Sequence, residues 1–154
     1  MVEHQNDFWP EQTVKEAKKI IEDKIEAGSG CPCCGQFAKQ YKRALNSSMA
    51  AILIALYRKA GASSNSYFHV NSLINDTPSL RGSLGGGDFA KLVHWNLIAP
   101  MIKNRDDGCK HNGHFRVTEK GEDFIKQKIL VASHVYIYNK EFRGYGKEST
   151  SILK

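Results

Sequence analysis

Apolar residues in this chain fall into helical spacing over some stretches and into strict alternation over others, and the switches between the two predict its elements. The clearest helix is Met49–Ala60. Met49, Ile52, Leu53, Leu56, Tyr57 and Ala60 share one face, Asn46-Ser47-Ser48 supplies an N-cap and Gly61 a stop. Upstream, Val14, Ala17, Ile20, Ile21 and Ile25 recur near helical spacing between Pro10, suited to a first turn, and Gly28, a stop. That stripe is narrow, so the helix either docks on its own domain or pairs with the same helix of a second subunit. A short helix is expected over Phe68–Ile74, broken by Asn75, Asp76, Pro78 and Gly82. A third is expected over Leu84–Leu97, with Asp88 as its cap after Gly85-Gly86-Gly87. Phe89, Leu92, Val93 and Trp95 would then turn inward, and Lys91 and His94 outward.

Alternation predicts the strands. Met101-Ile102 and Phe115-Arg116-Val117 flank the polar loop Lys103–Gly113, in which Asp106-Asp107-Gly108 and Asn112-Gly113 are turn signals. A new helix follows at Glu119 and carries on through Glu122–Lys128. His134, Tyr136 and Tyr138 alternate with Val135 and Ile137, and Asn139-Lys140 turns the chain into Glu141-Phe142-Arg143, a second hairpin. Phe37, Lys39 and Tyr41 fit a short strand, with a helix as the alternative. The sum is an α+β chain. Its segments are a helical arm (1–30), a cysteine turn with a short strand (31–46), a main domain (47–130), and a C-terminal hairpin with tail (131–154).

Composition narrows the class. At 41% hydrophobic and 10% aromatic, the 154 residues support a packed core. No apolar run approaches the roughly 20 residues of a membrane span, and the N-terminus lacks a basic stretch followed by an apolar one; a cytoplasmic protein is the expectation. Net charge is +6, unevenly spread. Residues 1–30 hold seven acids and four bases, whereas residues 31–154 hold nine acids and eighteen bases. The main part is therefore the basic part, which suits a polyanionic partner. Catalytic signatures are missing: there is no Ser/His/Asp pattern, paired-carboxylate motif or HExxH, so no enzyme is expected. The run GSLGGGDF lacks the Lys-Ser/Thr of a phosphate loop. The amides of Gly86 and Gly87 could hold one phosphate, or the run is simply a loop.

Three cysteines cluster at 31, 33 and 34, with a fourth at 109. For a cytosolic chain this favours metal or plain thiols over disulfides. Cys31-Pro32-x-Cys34-Gly35 has the form of a zinc knuckle, two thiolates in a tight turn. Two further ligands would come from Cys109, His111 and His114, and Cys33 would be a spare thiol. Such a zinc would be structural, since a full Cys/His set leaves no open position. In the alternative, the cysteines are ordinary thiols and the histidines solvated loop residues.

Read together, helix, WNLI (Trp95–Ile98), hairpin and RVTEKG (Arg116–Gly121) resemble the winged helix–turn–helix regulators. WNLI resembles the motif that closes their recognition helix, with Asn96 where the family usually has Gly, a change a left-handed residue tolerates. RVTEKG resembles their second wing strand. The layout of Cys31–Gly35, Tyr41–Ser47, Trp95–Ile98, Arg116–Phe124 and Val135–Asn139 also resembles small phage and prophage proteins that carry a CPxCG knuckle and have no assigned activity. The first resemblance implies a recognition helix in the major groove and a wing on the backbone. Phosphate contacts would come from Lys103, Arg105, Lys110 and Arg116, joined by Lys42 and Arg43. Base edges would be read by Lys91, His94 and the Asn75–Ser83 loop with Arg81. The implied function is a duplex-DNA-binding accessory or regulatory protein, zinc-stapled and able to dimerise through the N-terminal helix. The alternative is a winged-helix scaffold that binds a protein partner and no DNA.

Overall fold

The computed structural model describes residues 13–61, 65–82, 86–102, 106–108 and 113–153. They form a mixed α+β chain of short helices and small antiparallel sheets. Its contacts divide it into two compact units. The first comprises Met1–Lys42 and Tyr136–Arg143, the second Arg43–Val135 and Gly144–Lys154.

In the first unit, helix α1 spans Val14–Asp23. It starts at a capping box: Thr13 Oγ1 accepts from the Glu16 amide at 3.3 Å, and the Glu16 carboxylate accepts from the Thr13 amide at 2.9 Å. The helix thus begins past Pro10 and ends five residues before Gly28, because Lys24 already leaves helical geometry. Gly28 instead adopts φ +90°, leading into β1 (Ser29–Gly30). This strand pairs antiparallel with β2 (Phe37–Ala38), so Cys31–Gly35 lies in the turn of a small hairpin. The expected Phe37–Tyr41 strand is divided between β2 and β3 (Tyr41–Ala44).

The second unit holds most of the core. Helix α2 (Ser47–Ala60) starts where Asn46 Oδ1 accepts from the Met49 amide at 2.9 Å, and it buries Met49, Ala50, Ile52, Leu53 and Leu56. Next come β4 (Phe68–His69) and α3 (Val70–Asp76). The start of the helix predicted over Phe68–Ile74 is therefore a strand, and His69 rather than an upstream residue caps α3, its Nδ1 accepting from the Ser72 amide at 3.4 Å. Pro78–Leu80 forms a 3-10 turn.

The helix expected over Leu84–Leu97 takes a tighter form. Only Gly86–Phe89 (α4) is α-helical, and Ala90–Trp95 is a 3-10 helix ending at Asn96 in left-handed geometry, φ 58° and ψ 26°. Asp88 sits inside this segment instead of capping it. Two forces oppose a regular helix here. Glycines lower helix propensity at its start, and at its end the His94 carbonyl accepts the Tyr145 hydroxyl at 3.0 Å. Trp95, fully buried, fixes the register by donating its Nε1–H to the Ala132 carbonyl at 2.6 Å.

Strand β5 is Ile98–Pro100, slightly ahead of the expected Met101-Ile102, and β6 is His114–Val117. Their sheet has the order β4-β6-β5, all antiparallel, with His69 opposite His114 and Ile98 opposite Val117. Helix α5 (Glu119–Ile125) starts at Thr118. The Thr118 hydroxyl accepts from the Gly121 amide at 3.0 Å and donates to the Asn96 carbonyl at 2.5 Å. The WNLI turn and the RVTEKG helix start are therefore one hydrogen-bonded junction. Phe89 and Phe115 meet edge to face at 5.8 Å, and Phe124, Leu92, Leu97 and Val135 have no exposed surface.

After β7 (Val131–Ala132) come β8 (His134–Tyr138) and β9 (Glu141–Tyr145), the hairpin that alternation predicts. Its turn residues Asn139 and Lys140 both have positive φ, 49° and 66°, as a two-residue hairpin turn requires. β3, β8 and β9 form a sheet in the order β3-β8-β9. β10 (Ser149–Thr150) pairs antiparallel with β7.

Candidate functional site

The basic residues singled out from the sequence meet different fates. Lys103, Arg105 and Lys110 lie outside the described residues. Arg81 is exposed just after the Pro78–Leu80 turn. Lys91 forms an ion pair with Asp88, one helical turn away. The Lys91 ammonium, first as hydrogen-bond donor and then as charge, holds the Asp88 carboxyl below its usual range, and Arg43 adds to the effect. Arg43, Lys91 and Asp88 thus share one electrostatic neighbourhood, with more positive than negative charge. Arg116 donates from Nε to the Tyr67 hydroxyl at 3.2 Å, and its guanidinium sits 5.9 Å from the centre of that ring. His94 is half-buried. Loss of hydration, then the Lys91 charge, pushes its pKa down.

No family model matches the chain, and no curated protein or solved structure matches it.

The thiol turn is defined by backbone donors. The Cys31 amide donates to the Gln36 carbonyl, and the Gly35 amide to the Cys31 carbonyl, both at 2.8 Å. The amides of Cys33 and Cys34 in turn point at the Cys31 sulfur and pull its thiol pKa down. Cys33 moves the other way: lost hydration, then the charge of Cys31, raise its pKa. The cysteines in this turn are free thiols. Gly35, at φ +72°, supplies the left-handed residue on which the turn closes. This donor set suits thiolate chemistry, and Cys31 with Cys34 could supply two ligands to a metal. Among the described residues, no group of three or more Cys, His, Asp or Glu is arranged to hold one. Of the other candidate ligands, Cys109 and His111 lie outside the described residues, and His114 belongs to the second unit.

His114 has a neighbour that sequence reasoning missed. It sits across the β4-β6 pair from His69, the rings edge to face at 4.9 Å. Only the pairing of two strands far apart in sequence brings them together; the one local signal is the placement of Phe68-His69 ahead of an apolar helical run. Tyr67 and Tyr145, which hold Arg116 and the His94 carbonyl, were also missed, for the same reason. Among the described residues no helix is long and apolar enough to cross a membrane.

Proposed function

We propose that residues 47–130 form a winged helix–turn–helix and that the protein binds duplex DNA through it. The reading rests chiefly on element order. α2, β4, α3, the Gly86–Trp95 segment, β5 and β6 follow one another, and β6 lies between β4 and β5. In a winged helix, α2 and α3 would be the first two helices, Gly86–Trp95 the recognition segment, and β5 and β6 the strands of the wing. The Asn96 turn and the Thr118 junction support the same reading, because they join the two motifs that resemble this family. Arg43 and Arg81 are the described side chains best suited to phosphate, and Lys103, Arg105 and Lys110 fall by sequence in the wing loop. The test is fluorescence anisotropy on random duplex DNA at low salt. Salt-sensitive binding that weakens with Arg105→Ala or Lys110→Ala is expected; no binding at low salt contradicts the proposal.

A protein-binding role has its own support. Lys91 and Arg116 already have partners within the chain, and Ile102, beside the loop, is 90% exposed. It predicts a defined protein complex without DNA affinity. Cys31 and Cys34 are further proposed as half of a structural zinc site, tested by metal analysis of the purified protein with and without Cys34→Ser. Pairing of two subunits through α1 would cover Val14, which is 66% exposed; a monomer mass in light scattering would exclude it.

A further inference from the structure

Helix α2 is apolar on two faces. One packs into the core through Ile52, Leu53 and Leu56. The other, Ala51, Ile54 and Ala55, lines an open cleft of about 660 Å³. Leu73 and Leu80 close its base from α3 and the Pro78–Leu80 turn. Lys59 pairs with Asp76 at 3.6 Å and lies 5.6 Å from the centre of the Phe68 ring. Arg58, Thr77 and Ser79 are the cleft's other polar lining residues, beside the Lys59–Asp76 pair. Thr77 does not use its side chain to cap the turn it begins. The cleft therefore combines an apolar floor of small residues, two hydroxyls and one guanidinium beyond the Lys59–Asp76 pair.

We infer that this cleft binds a small organic acid, an apolar body carrying one carboxylate. Its volume lies within the roughly 300–1,000 Å³ typical of small-molecule sites. Ala51 and Ala55 leave room over the helix for the body. Arg58 matches a carboxylate in charge and in its paired donors, and Thr77 and Ser79 can donate to the remaining lone pairs. A cationic ligand would face Arg58 with its Asp76 counter-charge already engaged. The inference stands on the cleft alone and does not depend on DNA binding.

Octanoate serves as the probe and 1-octanol as its uncharged counterpart, followed by amide chemical shifts of the full-length protein. Octanoate should saturate and move the amides of Ala51, Ile54, Ala55, Thr77, Ser79 and Leu80. Arg58→Gln, a change at an exposed position, should weaken octanoate about tenfold, the loss of one charge-assisted hydrogen bond, and leave octanol unchanged. Ala55→Phe should fill the cleft and abolish both, with the melting temperature reporting that the fold survives. Should Ala55→Phe not fold, the Arg58→Gln comparison decides alone. The inference is overturned if octanoate shifts scatter over other exposed apolar residues such as Val14 and Leu130, if Arg58→Gln binds it as well as wild type, or if octanol binds as tightly as octanoate.

Discussion

Replacing Gly121 with Ala sets local propensity against packing. Gly121 lies inside α5, where Ala is favoured over Gly by about 0.8–1 kcal/mol. Propensity alone predicts a more stable protein. Packing predicts the opposite. A Cβ at this position would lie 2.1 Å from the Leu97 carbonyl oxygen, 3.0 Å from the Leu97 carbonyl carbon and 2.8 Å from Val117 Cγ1. Carbon–oxygen contacts normally close to about 3.3–3.6 Å, so the backbone would have to part by more than an ångström. It has little freedom to do so: Leu97 is fully buried and its carbonyl accepts the Thr118 amide at 3.1 Å. Overpacking of this kind costs about 1–3 kcal/mol, at times more. At about 2–4 °C per kcal/mol for a chain of this size, the melting temperature should fall by about 2–12 °C. The assay is thermal and urea unfolding followed by tryptophan fluorescence in a Trp9→Phe background, so that Trp95 reports the second unit. A Gly121→Ala protein as stable as its parent, or more stable, would falsify the tight junction between α5 and the WNLI turn.

Three further outcomes follow from the same structure. Asp88→Asn removes the partner of Lys91 and one negative charge; if the Gly86–Trp95 segment faces DNA, duplex affinity should rise and the slope of log K against log salt should steepen by about 0.9. An unchanged affinity and slope would place this segment away from the DNA. The Glu122 carboxyl is held below its usual range, first by its hydrogen bond from Lys126, and the Lys126 ammonium is held above its own by the same contact. The stabilisation from the pair should therefore be full between those limits. It should fade as pH drops below the ordinary carboxylate value, about 4.3, towards the lowered one, and again as pH rises through the raised lysine value. The difference in urea midpoint between wild type and Glu122→Gln, measured across pH, checks this, and a flat difference contradicts it. In metal-free protein, Cys31 should alkylate with iodoacetamide at lower pH than an ordinary thiol, pKa about 8.5, and Cys33 should lag; equal rates at the two sites would remove the role of the Cys33 and Cys34 amides.

Much of the fold was legible where periodicity and punctuation agree. Asn46 and Gly61 bracket α2 because a side-chain cap and a flexible stop act locally, and Asn139-Lys140 turns the β8-β9 hairpin for an equally local reason. The misses share a cause, long-range partners. Phe68-His69 became a strand because β6 pairs with it. The Gly86–Trp95 segment tightened because Tyr145 and Ala132, distant in sequence, take the His94 carbonyl and the Trp95 indole. At the candidate site, charge was readable residue by residue, but its commitment was not: the Tyr67 contact to Arg116 depends on tertiary packing. The Lys91–Asp88 pair, by contrast, sits at a three-residue spacing and could have been read from the sequence. So could the Thr13–Glu16 capping box, which was passed over for Pro10.

The central claim is that the second unit presents a DNA-binding winged helix, and the salt dependence of duplex binding tests it most directly. If at least six of the named bases contact phosphate, affinity for a random duplex should fall about 10³-fold or more between about 50 and 200 mM salt. In that case Arg105→Ala should flatten the slope by about 0.9. Absence of binding at the lower salt, or binding that ignores salt, contradicts the claim and leaves the protein-partner reading in its place.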